Sequence, residues 1–103
     1  MADKYLLHGK LVAKAGQQDE LAAILLEAAT LMSAAKGCRV YVVGKDEKEP
    51  NAVYVTEVWD SREDHDNSLN VDGVKELIMR AMPVLEGPPQ KGQEIRLLGG
   101  WGV

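Results

Sequence analysis

Cysteine and histidine are scarce in this sequence, and their scarcity excludes several kinds of site. The 103 residues include one cysteine, Cys38, and two histidines, His8 and His65. A single thiol can form neither an internal disulfide nor a cysteine-based metal cage. The two histidines also lack the short spacing that paired metal ligands need. We therefore expect no metal site.

The chain also lacks an excess of basic residues, a long apolar run and a phosphate-binding loop. Its 12 lysines and arginines face 16 acidic residues, and the formal net charge is -4, so nucleic acid is not an expected partner. The apolar runs are too short to span a bilayer, and the N-terminus lacks the pattern of a secretory signal. The glycine-rich run at 99–102 precedes no predicted helix, unlike a phosphate-binding loop. These features predict a cytoplasmic protein with no membrane partner.

The residues that are present fit one globular domain covering residues 1–103. Alternating apolar positions predict strands at 4–14, 38–45, 52–59 and 93–98. Apolar spacings of three and four residues predict a helix over 17–35, a short helix over 61–70 and a longer one that ends near 85. The polar segment 46–51, which contains proline, predicts a hairpin between the second and third strands.

The order of these elements predicts the fold. Strand, helix, strand, strand, helix, strand is the split β-α-β pattern of α+β, ferredoxin-like domains, with helices on one face of an antiparallel sheet. Both faces of the strands are apolar, however: on the first strand Leu6 and Val12 lie opposite Leu7 and Leu11. An apolar sheet face left in water would be a large exposed patch. We therefore expect a homodimer, formed by packing the uncovered faces together.

The stretch from residue 52 to residue 70 organises the chain, because a strand there runs directly into a helix. Glu57 and Trp59 share one face of that strand. Asp60 or Ser61 is a suitable N-cap, and acidic residues fill the first turn, where the helix dipole favours them. His65 follows Trp59 by six residues. An acid, an aromatic ring and an imidazole near one corner make this the expected site.

Each residue of the corner has a structural interpretation beside the functional one. Trp59 closes the core at the sheet edge, and it can also stack on a planar aromatic ligand and donate its N–H to an oxygen. His65 is either a surface histidine among acids or a base that takes a phenolic proton. Glu57 needs a partner if it is buried, and a structural ion pair with Arg39 or Arg96 is the preferred interpretation.

The third strand and the segments after it carry a family resemblance. Through VTEVWDSREDHDNSL, VKELIMRAMPVL and the closing strand that ends LLGG, the chain resembles the antibiotic biosynthesis monooxygenase domains, which are small dimeric α+β barrels. The resemblance covers nearly the whole chain, and the Glu-Val-Trp strand end before a serine-capped helix is its most telling part. Members of the family include cofactor-independent oxygenases of quinols and polyphenols, haem-degrading enzymes, and proteins with no assigned substrate.

The resemblance also implies roles for single residues. The family's aromatic at the end of the third strand corresponds to Trp59, and a side chain found six residues on in polyketide-oxidising members corresponds to His65. An arginine of those members falls one position before Arg80. The haem-degrading branch has a histidine where Ile78 stands, and isoleucine cannot ligate iron, so haem degradation is disfavoured. The first-strand asparagine of that branch has His8 as its counterpart, which is otherwise interpreted as an inward or interface histidine.

Two functions of different classes follow from this sequence. The first is a cofactor-independent monooxygenase that oxidises a quinol or polyphenol with O₂, with His65 as the catalytic base and with Trp59, His8, Glu57 and Arg80 contacting the substrate. The second is a dimeric binding or stress-response protein that holds a hydrophobic small molecule without turnover. The fold permits both, since fold alone does not give function. A titratable group inside the binding cleft separates them, because turnover requires one.

Overall fold

The computed structural model describes residues 3–88 and 92–103. Its strands are β1 (Lys4–Val12), β2 (Cys38–Lys45), β3 (Ala52–Trp59) and β4 (Gln93–Leu97). Its helices are α1 (Gln18–Met32), α2 (Arg62–Asn67) and α3 (Val74–Ala81), and 3₁₀ turns follow at Ser68–Asn70 and Met82–Val84. The predicted order of elements is confirmed. Within the described ranges, no helix combines the length and the apolar character needed to cross a membrane.

Several elements end earlier than the sequence pattern predicts. β4 ends one residue early, at Leu97, and α2 and α3 end at Asn67 and Ala81, where 3₁₀ turns continue the chain. β1 ends two residues early because Ala13 leaves the ladder and forms an isolated bridge with Leu85. α1 ends three residues early because the N–H groups of residues 33–35 bond to carbonyls three residues back, which tightens the chain into a 3₁₀-type turn. Gly37 then adopts a φ of +81°, a left-handed conformation that glycine accepts without strain, and turns the chain into β2.

The strands form one antiparallel sheet in the order β2-β3-β1-β4. In this register Glu57 of β3 lies between Leu7 of β1 and Tyr41 of β2, and Trp59 lies opposite Tyr5. Directly paired residues share a face of an antiparallel sheet, so all five side chains lie on the same face. The helices pack on that face, and the fold is therefore the predicted α+β, ferredoxin-like arrangement.

The apolar core lies between this sheet face and the helices, in two clusters. The larger cluster joins β3, α1, α3 and the segments that follow β1 and α3 through Ala13, Leu21, Ile24, Val53, Leu77, Val84 and Leu85. The smaller cluster consists of Met32, Trp59 and Val74. Along β3, Val53 belongs to the first cluster and Trp59 to the second. Glu57 therefore lies between two blocks of core, which limits its contact with water.

On the opposite sheet face, no helix of residues 3–88 and 92–103 is packed. This face carries the side chains of Leu6, His8, Lys10, Val12, Val42, Tyr54, Thr56, Val58 and Ile95. The apolar side chains of Val42 and Ile95 are 54% and 43% exposed. This exposure is the reason for expecting a second copy on this face, and the homodimer stays a prediction.

Candidate functional site

The turn from β3 into α2 sets the geometry of the candidate site. Ser61 is extended, with φ -153° and ψ 161°, and its hydroxyl accepts a hydrogen bond from the Asp64 N–H at 3.1 Å. This is the N-cap that the sequence predicts. The Asp60 N–H donates to the Gly37 carbonyl at 2.8 Å and fixes the turn to the start of β2. His65 lies one helical turn after Ser61, and its imidazole is directed back to β3.

Glu57, Trp59 and His65 meet at this corner. The Trp59 indole N–H donates to Oε1 of Glu57 at 3.0 Å. The Nε2 atom of His65 lies 3.8 Å from the same oxygen, and its Nδ1 atom lies 3.1 Å from the surface carboxylate of Asp66. The imidazole is edge-on to Trp59, with ring centroids 5.7 Å apart, and its centroid is 5.6 Å from that of Tyr5. The predicted grouping of acid, aromatic ring and imidazole is present in the structure.

Burial controls the acidity of Glu57. Its side chain is 13% exposed, and this loss of hydration raises the pKa of the Glu57 carboxyl above its ordinary value. The Trp59 hydrogen bond and the positive charge of protonated His65 act in the opposite direction but do not cancel the effect of burial. The carboxylate is therefore a stronger base than a surface glutamate.

A cleft of about 200 Å³ opens beside Glu57, between the sheet and α1. Its walls are mostly apolar and comprise Leu7, Leu11, Leu25, Tyr41, Val55 and Glu57. Gly9 and Gly92 line it without side chains, and a Cβ on Gly92 would lie 2.8 Å from the His8 carbonyl oxygen. The close approach of these two backbones requires glycine at position 92. Lys10 also lines the cleft, and its ammonium group is bound to Glu49 at 2.9 Å. Glu57 supplies a carboxyl group and Tyr41 a hydroxyl group to this mostly apolar wall.

Tyr41 is a site residue that the sequence analysis does not identify. It is the cross-strand neighbour of Glu57 in the β2–β3 hairpin. Burial, followed by the negative charge of Glu57, raises the pKa of the Tyr41 phenol, so this hydroxyl stays protonated and can donate to a ligand. Counting residues outward from the predicted turn at 46–51 would place Tyr41 opposite Thr56, one residue away from the observed register, in which Lys45 pairs with Val53.

The expected ion pair of Glu57 with Arg39 or Arg96 is wrong. Arg39 lies at an irregularity in the β2–β3 register, between Cys38 and Val40, and its guanidinium makes two hydrogen bonds to Asp60 at 2.8 and 3.1 Å. Arg96 is on β4, which β1 separates from β3, and it pairs with Asp3. Glu57 instead accepts a hydrogen bond from the Trp59 indole N–H and has the His65 imidazole beside it.

Two of the predicted substrate-binding residues lie away from this corner. His8 is on the opposite sheet face, where Nδ1 is 2.9 Å from the Thr56 hydroxyl and the ring stacks on Tyr54 at 5.8 Å. Arg80 is on the exposed side of α3 and binds the Glu27 carboxylate through both terminal nitrogens, at 3.2 and 2.7 Å. Their contacts with a substrate stay predictions, and this chain alone does not bring them to Glu57.

Trp59 and Ile78 occupy very different environments. Trp59 is fully buried, and its N–H is engaged by Glu57. The structural interpretation of Trp59 as a core residue is thus confirmed, while its stacking on a ligand stays a prediction. Ile78, at the position of the haem-ligating histidine, lies on α3 and is 44% exposed. Its side chain offers no ligand atom, so this chain does not fit a haem held from that position.

Solved structures with similar folds come from several bacteria. One from Chloroflexus aurantiacus J-10-fl, provisionally named an antibiotic biosynthesis monooxygenase, is 41% identical, with a TM-score of 0.86 over 96% of this chain and 97% of its own. A protein of unknown function from Nitrosomonas europaea is 26% identical, with a TM-score of 0.79 over 95% of this chain and 92% of its own. Another Nitrosomonas europaea protein, provisionally named an antibiotic biosynthesis monooxygenase, is 10% identical with a TM-score of 0.86 over 95% and 93%, and shows the fold alone.

The sequence comparison agrees with these structures. No curated protein matches the chain. The pattern of the antibiotic biosynthesis monooxygenase family, however, matches residues 5–79, from β1 into α3, and this range includes Glu57, Trp59 and His65. The match covers more than half of the 103 residues. The chain belongs to the antibiotic biosynthesis monooxygenase family.

Proposed function

We propose that this protein is a cofactor-independent monooxygenase that oxidises a small hydroxyaromatic compound, such as a quinol or polyphenol, with O₂. The observation that carries the proposal is the acid–base pair of Glu57 and His65 at one end of an apolar cleft. Apolar walls suit a planar ring, and a titratable group beside them suits its hydroxyl proton. Membership of the family supports the reaction class.

The chemistry begins with proton transfer. The substrate hydroxyl gives its proton to the acid–base pair, and this leaves a carbanion-like anion. The anion passes one electron to O₂, and the radical pair recombines to form a C–O bond. The resulting peroxide anion takes a proton back. Loss of water then breaks the O–O and C–H bonds and leaves a carbonyl, so one oxygen atom enters the product and the other becomes water.

In this scheme the protein binds the substrate, accepts and returns a proton, and keeps water away from the anion. The substrate anion itself is the reductant, so the reaction needs neither a metal nor an organic cofactor. We propose that residues 1–103 act as one domain for this purpose and that the protein works in the cytoplasm.

We also propose a homodimer formed through the sheet face that carries Val42 and Ile95. Both side chains are substantially exposed in one chain, and a second copy would remove them from water. Sedimentation at micromolar concentration should then give twice the chain mass of 11.2 kDa. A stable folded monomer under those conditions would contradict the dimer.

A binding protein without turnover is the second candidate. The mostly apolar walls favour it, because they can hold a hydrophobic molecule whether or not the carboxyl of Glu57 takes part in a reaction. On this alternative, ligand binding would be measurable and oxygen consumption would not.

Oxygen uptake measured against a panel of quinols and polyphenols tests the proposed function. We expect one O₂ consumed per molecule of product, no reaction without oxygen, and one labelled oxygen atom in the product formed under isotopically labelled O₂. Haem with a reductant serves as a further substrate, and we expect no bleaching of its Soret band. Tight binding of quinols without oxygen consumption would favour the binding protein.

A further inference from the structure

We propose that Glu57 is the catalytic residue that contacts the substrate hydroxyl in the cleft, and that His65 is a positioning residue behind it that passes the proton to solvent. This inference rests on the proposed function and assigns separate roles to the two members of the acid–base pair. It reverses the simplest interpretation of the sequence, in which the histidine meets the substrate directly.

The placement of the two side chains indicates that Glu57, and not His65, contacts the substrate. Glu57 lines the cleft, and among the described residues His65 does not. The Trp59 N–H and the His65 imidazole both approach Oε1 of Glu57. The described part of the chain places no hydrogen-bond donor on Oε2, and Glu57 is one of the residues that line the cleft. Oε2 is therefore the oxygen that can accept a hydrogen bond from a substrate hydroxyl.

The position of His65 between Glu57 and the surface gives the proton a route to solvent. The His65 imidazole is 27% exposed, more than the Glu57 side chain at 13%, and Nδ1 is in contact with the surface residue Asp66. The separation of 3.8 Å between Nε2 and Oε1 is about 0.6–1.2 Å longer than a direct proton transfer needs. A small rotation of the imidazole, or one bridging water, closes that gap. Imidazole can then accept a proton at one nitrogen and release one at the other.

The groups that surround Glu57 support its assignment as the base. The ionisable groups near Glu57 are His65 on α2 and Tyr41 and Cys38 on β2. From β1 and α1 the cleft is lined by the apolar Leu7 and Leu25 and by Lys10, whose ammonium group is paired with Glu49. Burial raises the pKa of both Tyr41 and Cys38, so these two groups keep their protons near neutral pH. Glu57 is thus the carboxylate base in the described cleft wall, and the raised pKa of Glu57 strengthens it as a base.

The proposed transfer is a proton movement without electron transfer. The substrate O–H bond breaks and an O–H bond forms at Oε2 of Glu57. The proton then moves from the carboxyl to Nε2 of His65, and Nδ1 releases a proton to Asp66 or to bulk water. The carboxylate is regenerated, and the electrons needed for oxygen reduction come from the substrate anion.

The first experiment measures binding without oxygen and does not require turnover. Hydroquinone is titrated into the protein anaerobically across a pH series, with Glu57→Gln and His65→Gln as variants and Glu63→Gln, an exposed glutamate on α2, as the matched control. The phenolic O–H binds a carboxylate better than a carboxylic acid, so we expect the affinity to rise about tenfold as Glu57 ionises. The rise should vanish in Glu57→Gln. In His65→Gln it should persist but move to higher pH, because the charge that favours ionisation is gone.

The second experiment measures turnover of a quinol that the wild-type protein oxidises. We expect kcat to fall by about 10²-fold or more in Glu57→Gln and to recover in part in Glu57→Asp. In His65→Ala, kcat should fall and added imidazole should restore it, an effect that a merely structural histidine would not show. Asn67→Ala, on the exposed side of the same helix, is the control and should have the wild-type rate with no response to imidazole. Near-ultraviolet circular dichroism verifies that each variant is folded.

The outcomes separate this inference from the proposed function. Oxidation that proceeds unchanged in folded Glu57→Gln, or a His65→Ala rate that does not respond to imidazole, overturns the inference and leaves the monooxygenase standing. Binding with the expected pH profile but no oxygen uptake for any quinol overturns the proposed function and, with it, the proton route. A pH-dependent affinity that survives in Glu57→Gln overturns the contact between Glu57 and the substrate.

Discussion

Glu49, in the turn of the β2–β3 hairpin, and Glu57, on β3, have opposite acid–base behaviour. Each accepts a hydrogen bond from an aromatic residue: Glu49 from the Tyr54 hydroxyl at 2.7 Å and Glu57 from the Trp59 indole at 3.0 Å. Each also has a basic side chain nearby, Lys10 at 2.9 Å from Glu49 and His65 at 3.8 Å from Glu57. Yet the pKa of Glu49 is lowered, whereas the pKa of Glu57 is raised.

Exposure to water explains the difference. The Glu49 side chain is 44% exposed at the hairpin turn, and its hydrogen bonds with Lys10 and Tyr54 outweigh a small cost of burial. The Glu57 side chain is 13% exposed, and burial outweighs the indole and the imidazole together. Similar partners therefore make a structural anion in one place and a proton acceptor in the other. A buried carboxyl with a raised pKa inside a cleft is the arrangement associated with acid–base function.

The largest effect that we expect comes from removing the donor behind Glu57. Trp59→Ala deletes a fully buried ring and should lower the free energy of unfolding by about 3–5 kcal/mol, measured by urea denaturation. Trp59→Phe is the matched variant, since it keeps an apolar ring and loses the N–H. It should raise the pKa of Glu57 further, because the indole hydrogen bond lowers it. A loss below about 1 kcal/mol in Trp59→Ala would contradict the central packing role of this ring.

A smaller effect should appear in the pH dependence of stability in Glu57→Gln. The pKa of Glu57 is raised in the folded protein, so its stabilising contribution is present below the unfolded pKa and is lost as the pH rises through the folded pKa. Glutamine does not titrate, and the variant should therefore gain stability relative to wild type between about pH 4 and about pH 7. Each unit of pKa difference corresponds to about 1.4 kcal/mol. Chemical denaturation at both pH values, with Glu63→Gln as the control, measures the gain, and a relative loss would contradict the raised pKa.

The backbone around Glu57 follows closely from the sequence. Alternation of apolar residues places Glu57 and Trp59 on one strand face, the bounds of β2 are those predicted, and Ser61 caps α2 as expected. These features depend on local chemistry, namely side-chain alternation and a hydroxyl that satisfies a free N–H. Helical geometry after that cap is also sufficient to bring His65 near the strand.

The partners of Glu57 do not follow from the sequence, because they depend on non-local geometry. The register irregularity beside Arg39 is invisible to an alternation pattern, and it turns that guanidinium to Asp60. The position of Arg96 depends on strand order, which inserts β1 between β3 and β4. The position of Tyr41 opposite Glu57 could be predicted only with the register of the β2–β3 hairpin. Burial of Glu57 between two clusters of core is likewise a tertiary effect, and it sets the direction of the pKa shift.

His65→Ala should change the free energy of unfolding by less than about 1 kcal/mol, because the histidine is partly exposed and its neighbour Asp66 lies at the surface. The effect on ionisation should be more informative than the effect on stability. The charge of His65 lowers the pKa of Glu57, so the variant should titrate Glu57 at higher pH, as followed by carbon-13 NMR of the glutamate carboxyl. An unchanged Glu57 titration would mean that the two groups are not electrostatically coupled, and the comparison with Glu49 and Lys10 would lose its basis.

The smallest effect that we expect, and the one that completes the comparison, is that of Glu49→Gln. The pKa of Glu49 is lowered in the folded protein, so its contribution is present above the unfolded pKa and is lost as the pH falls through the folded pKa. The variant should be slightly less stable than wild type near pH 7, by less than the effect of Glu57→Gln because the side chain is well exposed, and the difference should shrink as the medium becomes acidic. Adding salt should reduce it further, since the ion pair with Lys10 is screened at the surface. Between acidic and neutral pH the two glutamine variants would then change in stability relative to wild type in opposite directions, with a gain for Glu57→Gln and a loss for Glu49→Gln. The same direction in both would mean that burial does not distinguish the two carboxyls.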